Sequence, residues 1–565
     1  MNDLPGTLEQ LSARLEMLEE RVSALEHSPA SSAASPALDA TAFPASNALE
    51  DLSFTHAGSI FPLLGRAMLG IAGAYLLRAV AESTSLPKLA VAAIAIAYAV
   101  TWLVWAVRTQ TGTWVPGAIY AGTSSLILAP MLWELTLSFK VLPPTATAAI
   151  LGAFVVAASA LAWKRDCAPV VWVTYVAAAG TALALAIATR DLIPFIAALL
   201  LMALICEYAV LRRHQLSVRI LVAAAANLAA WALIFIYSSP QSTRADYPEI
   251  AAPVLLLPGC ILFFIYAASA SMRTTLLAQN ITVFETLQSI VAFLLAASSA
   301  LYFEPQFGAV GLGVACLLLS ALCYALVLAV FREPGAGRNF QVFAAWATGL
   351  LFTGSMLCLP PLALALCVGG AAVALTLLGV RLQRLTLQIH GQLLLLAGAI
   401  ASGLFGYASN ALAGTEPARL TASVCVLSVC VLGCYAIGKS ASADDWVRQA
   451  MHFVGAALAV GILAAFIVQA LLSLVTLRIA PEAHHVACIR TLTLCALALA
   501  AAFAGSRWRR ADLTRIAYAA LVFIAAKLVF EDLRHGHLGF IAASIFLFAI
   551  TLIAVPRLAR ISRKA

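Results

Sequence analysis

The chain has 565 residues, of which 63% are hydrophobic and 11% charged, with a net charge of +8 and a mean hydropathy of +0.96. Soluble domains carry about 25% charged residues, so a set of ordinary globular domains is excluded. The basic residues lie in short loops between apolar runs, which points to membrane orientation rather than to nucleic acid as the reason for the positive balance.

The first 50 residues contain no apolar h-region, so no secretory signal peptide is expected. Within residues 4–26, Leu8, Leu11, Leu15, Leu18, Val22 and Leu25 alternate at spacings of three and four, the a/d seam of a heptad helix. Arg14 and Arg21 at g would face Glu19 and Glu26 at e in a parallel dimer. Three heptads are marginal alone in water, so residues 1–26 predict a short coiled coil that takes a partner: a second copy, another protein or the membrane surface. Residues 27–53 are rich in Ala, Ser and Pro and lose all apolar periodicity, which predicts a disordered linker. Its reach is about 25–30 Å.

From residue 54 to 558 the chain reads as a polytopic transmembrane domain, followed by a basic tail at 559–565. Apolar stretches of about 20 residues, each able to cross a hydrocarbon core of about 30 Å, recur to the end. Their centres fall near residues 72, 98, 127, 154, 178, 201, 228, 261, 292, 319, 350, 370, 402, 429, 465, 498, 522 and 547. The predicted fold class is therefore all-α, a polytopic integral membrane protein of about eighteen spans. With the N-terminus in the cytoplasm, the inner loops and tail hold 21 basic residues and the outer loops 8. The positive-inside rule then places both termini inside. No internal repeat is visible. Most of the twelve cysteines fall within apolar runs and none forms a C-x-x-C pair, so they read as small packing residues.

A charge at the centre of a span costs about 2.5–3.5 kcal/mol on insertion scales and usually faces a partner or cavity. Near a span end a long side chain can snorkel to water instead. Toward the outer ends of their spans, Arg78 precedes Glu82, Glu134 lies four residues after Pro130, and Lys527 precedes Glu531 and Asp532. Arg78 and Lys527 read as snorkelling anchors or as functional cations. Glu134 reads as a functional carboxylate, or as structural glue to Arg78, Lys140 or Lys527. Toward the inner ends, Arg66 opens the first span among Gly65, Gly70 and Gly73, small residues that suit close helix packing. Glu207 is expected to form a surface ion pair with Arg212 or Arg213. Glu285 and Gln288 share a helix face, as a proton or cation relay or, more commonly, as a buried hydrogen-bond cluster, and Asn227 reads the same way. The Gly-rich run at 308–316 reads as helix packing.

His484 and His485 do not define a metal site, and neither do His535 and His537. The chain has no Walker loop, H-E-x-x-H, G-x-S-x-G or dinucleotide fingerprint. No catalytic residue, cofactor or metal is expected.

The segments FPLLGRAMLGIAGAYLLRA at 61–79, ITVFETLQSIVAFLLA at 281–296 and IAAKLVFEDLRHGHLGFIAASIFLFAITLIAVPRL at 524–558 carry a resemblance. Together with the heptad helix, the linker and the many short-looped spans, they resemble a bacterial predicted-membrane-protein family, domain of unknown function 2339. The K-x-x-x-x-D ending is matched by Lys527 and Asp532. The family's usual arginine soon after that aspartate is replaced by Arg534, His535 and His537. The resemblance implies a bacterial inner-membrane location and no particular activity.

Three functions are weighed. The first is a transporter or flippase-like handler of an envelope-related substrate, with Arg66, Arg78, Glu134, Glu285, Gln288, Lys527 and Asp532 as candidate intramembrane polar or substrate-binding residues. The second is a non-catalytic envelope scaffold that recruits partners through its coil. The third is a lipid-linked membrane enzyme, which has only Glu82, Asp246, Glu249 and Glu482 as acids in short outer loops. Span number favours the first, and the lipid bilayer is the expected partner of all three.

Overall fold

A computed structural model describes residues 57–83, 88–108, 115–165, 168–212, 218–240, 244–330, 337–414, 419–438, 446–477, 482–535 and 538–564. The heptad helix with Leu8, Leu11, Leu15, Leu18, Val22 and Leu25, and the linker at 27–53, lie outside the described residues. The backbone of Arg78 is described and its side chain is not. The chain divides into one unit at 1–69 and a second at 70–565.

The described residues fold as nineteen helices with no strand. They are α1 (Ala57–Ser83), α2 (Lys88–Arg108), α3 (Val115–Trp133), α4 (Pro144–Arg165), α5 (Ala168–Thr189), α6 (Leu192–Leu211), α7 (Arg219–Ser238), α8 (Ala252–Thr275), α9 (Val283–Phe303) and α10 (Phe307–Ala329). There follow α11 (Gly337–Cys358), α12 (Pro361–Arg381), α13 (Leu385–Ala401), α14 (Leu404–Ala413), α15 (Ala422–Ile437), α16 (Trp446–Thr476), α17 (Ala483–Arg507), α18 (Ala511–Lys527) and α19 (Leu538–Lys564). Every predicted centre falls on a helix, except that residue 402 falls on a break between two.

The span count differs from eighteen. Among the described residues, fourteen helices are long and apolar enough to cross a membrane, and the α13–α14 pair makes a fifteenth if it is one span. Among the described residues, Leu63–Gly73 and Ala92–Arg108 provide shorter apolar helices, as does Ala422–Ile437. The last, α15, has 16 residues, which at about 1.5 Å per residue falls short of a hydrocarbon core of about 30 Å.

Large apolar side chains such as Ile187, Phe264, Val522 and Phe530 are exposed, as they must be where the surrounding solvent is lipid. Between helices the contacts are small or hydrogen-bonded. Gly313 on α10 and Gly354 on α11 lie against each other, and a Cβ on Gly354 would sit 2.7 Å from the Gly313 carbonyl oxygen. The Gly-rich run at 308–316 thus includes a helix-contact surface. Gly70 and Gly73 lie under Trp102 and Tyr98, whereas Gly65 faces open space. Buried hydroxyls cross between helices: Thr136 meets Thr147 at 2.7 Å and Ser159 meets Tyr175 at 2.8 Å. Such bonds average about 0.6 kcal/mol each in a membrane protein. Asn227, a candidate for a relay or a buried hydrogen-bond cluster, buries its Oδ1 with no hydrogen-bond partner among the described residues.

The break at residue 402 is local in origin. Gly403 has φ 79° and ψ 8°, the left-handed region, and the axes of α13 and α14 differ by 68°. A Cβ at Gly403 would meet nothing within 4 Å, so only the backbone favours glycine there. Gly403→Ala is therefore expected to destabilise by about 1–2 kcal/mol. The check is the unfolding midpoint of the purified variant, which should fall; an unchanged midpoint would mean the bend relaxes freely.

Two π turns interrupt the helices, and each carries acids singled out from the sequence. Glu134–Ser138 follows Pro130 at the end of α3, and Leu528–Asp532 continues α18 into Leu533–His535. A π turn widens the helix by one residue, and proline, which lacks an N–H, makes such a local change less costly.

Candidate functional site

The Leu528–Asp532 turn assembles the first of the buried charge clusters found among the described residues. By adding a residue to the turn it brings Asp532 back beneath Lys527, five positions earlier. Lys527 Nζ donates to both Asp532 oxygens at 3.1 and 3.0 Å, to Thr491 Oγ1 at 2.8 Å and to the Ala487 carbonyl at 2.8 Å. Glu531 Oε2 lies 3.4 Å away. Thr491 in turn donates to Asp532 Oδ2 at 2.9 Å. Lys527 and Asp532 are 6% and 3% exposed, so this lysine does not snorkel. It is bonded across the helix interface to α17. The anchoring alternative for Lys527 is corrected on this point.

Arg490, one residue before Thr491, extends the cluster to the broken helix. Its Nη1 donates to Glu531 Oε1 at 2.7 Å. Its remaining bonds go to the end of α14: Nε to the Ala411 carbonyl at 2.8 Å, and Nη2 to the carbonyls of Asn410 at 2.9 Å and Gly414 at 2.7 Å. The last carbonyls of a helix have no intrahelical partner and carry its negative dipole end. A planar guanidinium with five donors satisfies three of them and a carboxylate at once. In the sequence, Arg490 is one of the eight basic residues counted in the outer loops. The signal that could have found it is its position, inside the apolar run that begins at Ala487. Arg490→Lys keeps the charge but loses the fork. We expect a loss of about 1.5–3 kcal/mol, the usual worth of hydrogen bonds to charged groups, read as a lower unfolding midpoint. A midpoint equal to wild type would show that the carbonyls need only a positive charge.

The second cluster joins α6, α7, α8 and α9. Arg219 opens α7 and reaches back over the end of α6, where Nε and Nη2 each meet a Glu207 oxygen at 2.7 Å. Its Nη1 lies 3.1 Å from Glu285 Oε1, which also pairs with Arg273. Ser269 Oγ donates to Glu207 at 2.6 Å, and Gln288 Nε2 donates to it at 3.3 Å. Glu285 has a further task. Its Oε2 accepts the Thr282 N–H at 2.9 Å while Thr282 Oγ1 accepts the Glu285 N–H at 3.2 Å, a reciprocal N-terminal cap for α9. The T-x-x-E spacing at 282–285 is the sequence signal for that cap. Arg273 also holds Gln279 Oε1, and Asn339 on α11 pins the same loop by accepting the Ile281 N–H and donating to the Gln279 carbonyl.

Glu207 therefore forms no surface pair with Arg212, and Arg213 lies outside the described residues. It is 2% exposed and is taken up by Arg219, while Arg212 Nε donates to Tyr208 Oη at 2.9 Å. The reversal has a geometric reason. Arg219, the first residue of α7, reaches the α6 carboxylate, whereas Arg212 is turned to Tyr208.

The structure thus unites Lys527 with Asp532 and Glu285 with Gln288, in two separate clusters. Glu134 is half-buried on its own π turn, and Arg66 is exposed on α1. A third, smaller assembly was not anticipated: Tyr435 Oη donates to Asp512 at 2.8 Å, Arg510 pairs with that carboxylate at 3.0 Å, and the guanidinium lies 4.3 Å from the Tyr435 ring centre.

Among the described residues no three His, Cys, Asp or Glu side chains are placed to hold a metal ion. His484 and His485 instead pack against Phe540, the first ring tilted and the second edge-on. The eleven described cysteines are free thiols. Compared with known protein families, curated proteins and solved structures, the chain matches none. The geometry alone carries the functional reading, and it establishes a multi-pass helical protein of the kind that resides in a lipid bilayer.

Proposed function

We propose that the chain is a transporter or flippase-like protein of the bacterial inner membrane that handles an envelope-related substrate beside the C-terminal end of α14, the second half of the broken helix pair. With both termini in the cytoplasm, as the loop charges imply, the Lys527 cluster lies toward the outer side and the Glu207–Glu285 cluster toward the inner. One observation carries the reading. The half-helix α14 ends in carbonyls held by a buried arginine, and that arginine is one carboxylate away from a buried Lys–Asp pair. Discontinuous helices with terminal carbonyls turned to a cation recur at the binding sites of secondary transporters. A fully paired cluster of this kind is the closed state of such a site. The likeness of the Lys527–Asp532 ending to the family named above is compatible with the proposal and adds no activity to it.

A second reading, the envelope scaffold, is favoured by a different observation. All three donors of Lys527 are engaged within the protein, which is what structural glue requires.

Solvent access separates the two. Thr491 is wholly buried between Lys527 and Asp532. In Thr491→Cys, reconstituted in vesicles, a transporter that opens its site is expected to react with a membrane-impermeant cationic thiol reagent from at least one side. Peptide mass mapping at residue 491 reads the product, so the native cysteines do not interfere. Protection from both sides, with modification of an exposed control at Lys140→Cys, would favour the scaffold.

A further inference from the structure

A groove of about 310 Å³ begins one turn from the Lys527 cluster and runs along α14, α16, α17 and α18. Its floor is buried alanine: Ala464 on α16, and Ala498 and Ala501 on α17. Leu412, Leu494 and Phe523 line the end nearest the cluster. Leu412 directly follows Ala411, whose carbonyl accepts from Arg490. Leu494 lies one turn after Arg490, and Phe523 one turn before Lys527. Polar site and apolar groove are therefore continuous, sharing α14, α17 and α18. The rim is open, with Ala457, Ala519 and Phe523 exposed. Every lining residue is apolar, and the lining lies within three helices long and apolar enough to cross a membrane, together with the end of the broken pair.

We propose that this groove seats one acyl chain of a membrane lipid, with the lipid's polar head directed toward the Arg490–Lys527 end. Three features select this occupant. The groove lies at the depth where hydrocarbon is the surrounding solvent. It is a slot floored by methyl groups, too small for a helix of about 10–12 Å diameter. It also ends at a cluster of cations and carboxylates, which suits a molecule with an apolar chain and a charged head. As a lipid-binding site the groove stands on its own geometry. As the substrate class of the site proposed above, lipid, it rests on that reading.

The test is native mass spectrometry of the full chain released from nanodiscs of phosphatidylethanolamine and phosphatidylglycerol. Wild type is expected to keep one lipid after activation that strips the others. Ala498→Leu fills the floor, and losing the burial of even two chain methylenes lowers affinity about tenfold, so retention should fall by about that factor. Ala177→Leu, in a separate groove between α3 and α5, should retain lipid as wild type does. Ala519→Phe, on the exposed rim, blocks the mouth without altering the floor and should repeat the loss if Ala498→Leu fails to fold. Equal retention in wild type and the groove variants, no retained lipid in wild type, or a retained mass that is a second polypeptide would each overturn the proposal. The two readings fail separately. Retained lipid with a protected Thr491→Cys supports the lipid seat and removes transport. A reactive Thr491→Cys with no retained lipid removes the lipid seat and leaves transport standing.

Discussion

Lys527→Met is expected to destabilise the protein by about 3–5 kcal/mol, the usual consequence of leaving one charge of a buried pair uncompensated. The substitution is close in size, so packing changes little. What changes is that Asp532, 3% exposed, loses its cation and keeps only Thr491 and its own turn. The reading is confirmed or refuted by a second variant. Lys527→Met combined with Asp532→Asn removes both charges, and most of the loss should return, because a neutral pair of similar volume is often as stable as a buried ion pair. The measurement is the unfolding midpoint in detergent for the single and double variants, with the exposed loop substitution Lys140→Met as the control expected to stay within about 0.5 kcal/mol. A double variant as unstable as the single would show that the lysine acts through its bond to the Ala487 carbonyl rather than through charge. If the single variant matches Lys140→Met, the cluster contributes nothing to stability.

Arg219→Ala is the second large effect. Among the described residues, Arg219 is the one bonded to both carboxylates, with two bonds to Glu207 and one to Glu285. Arg273 remains paired with Glu285 and no closer than Coulombic range to Glu207, which keeps hydrogen bonds from Ser269 and Gln288 but loses its directly bonded cation. Neutral donors satisfy lone pairs without compensating charge, so a loss of about 3–5 kcal/mol is again expected. Here the partial rescue is Glu207→Gln in the Arg219→Ala background. Because Glu285 also caps α9, Glu285→Ala should cost more than Glu207→Ala by about 1 kcal/mol, the typical worth of an N-terminal cap. Unfolding midpoints of the four variants decide it. Equal losses from Glu285→Ala and Glu207→Ala would mean that the cap is replaced by water.

Much of the architecture was legible in one dimension. A run of about twenty apolar residues is a local property, and the cost of an unpaired backbone in lipid leaves a helix as the form such a run takes. Lys527 and Asp532 were visible for the same reason: a charge within an apolar run stands out against its own neighbours. Glu285 and Gln288, three apart, could be assigned to one face by helical period alone. The break at Gly403 was not legible, because a glycine within an apolar run looks the same whether it packs, as Gly354 does, or turns left-handed.

What the sequence by itself determined is the class of the protein, the position of its helices and the presence of charges at membrane depth. What only the tertiary structure decided is which charges meet. Arg219 reaches Glu285 across 66 residues, and Arg490 reaches Asn410 across 80. Such pairings depend on which helices lie side by side and on how each is rotated. Small and apolar side chains that look alike in sequence decide that through their packing. Burial then follows from the pairing: a lysine at a helix end is tolerated by water or by a partner, and only the neighbouring helix α17 selects the partner.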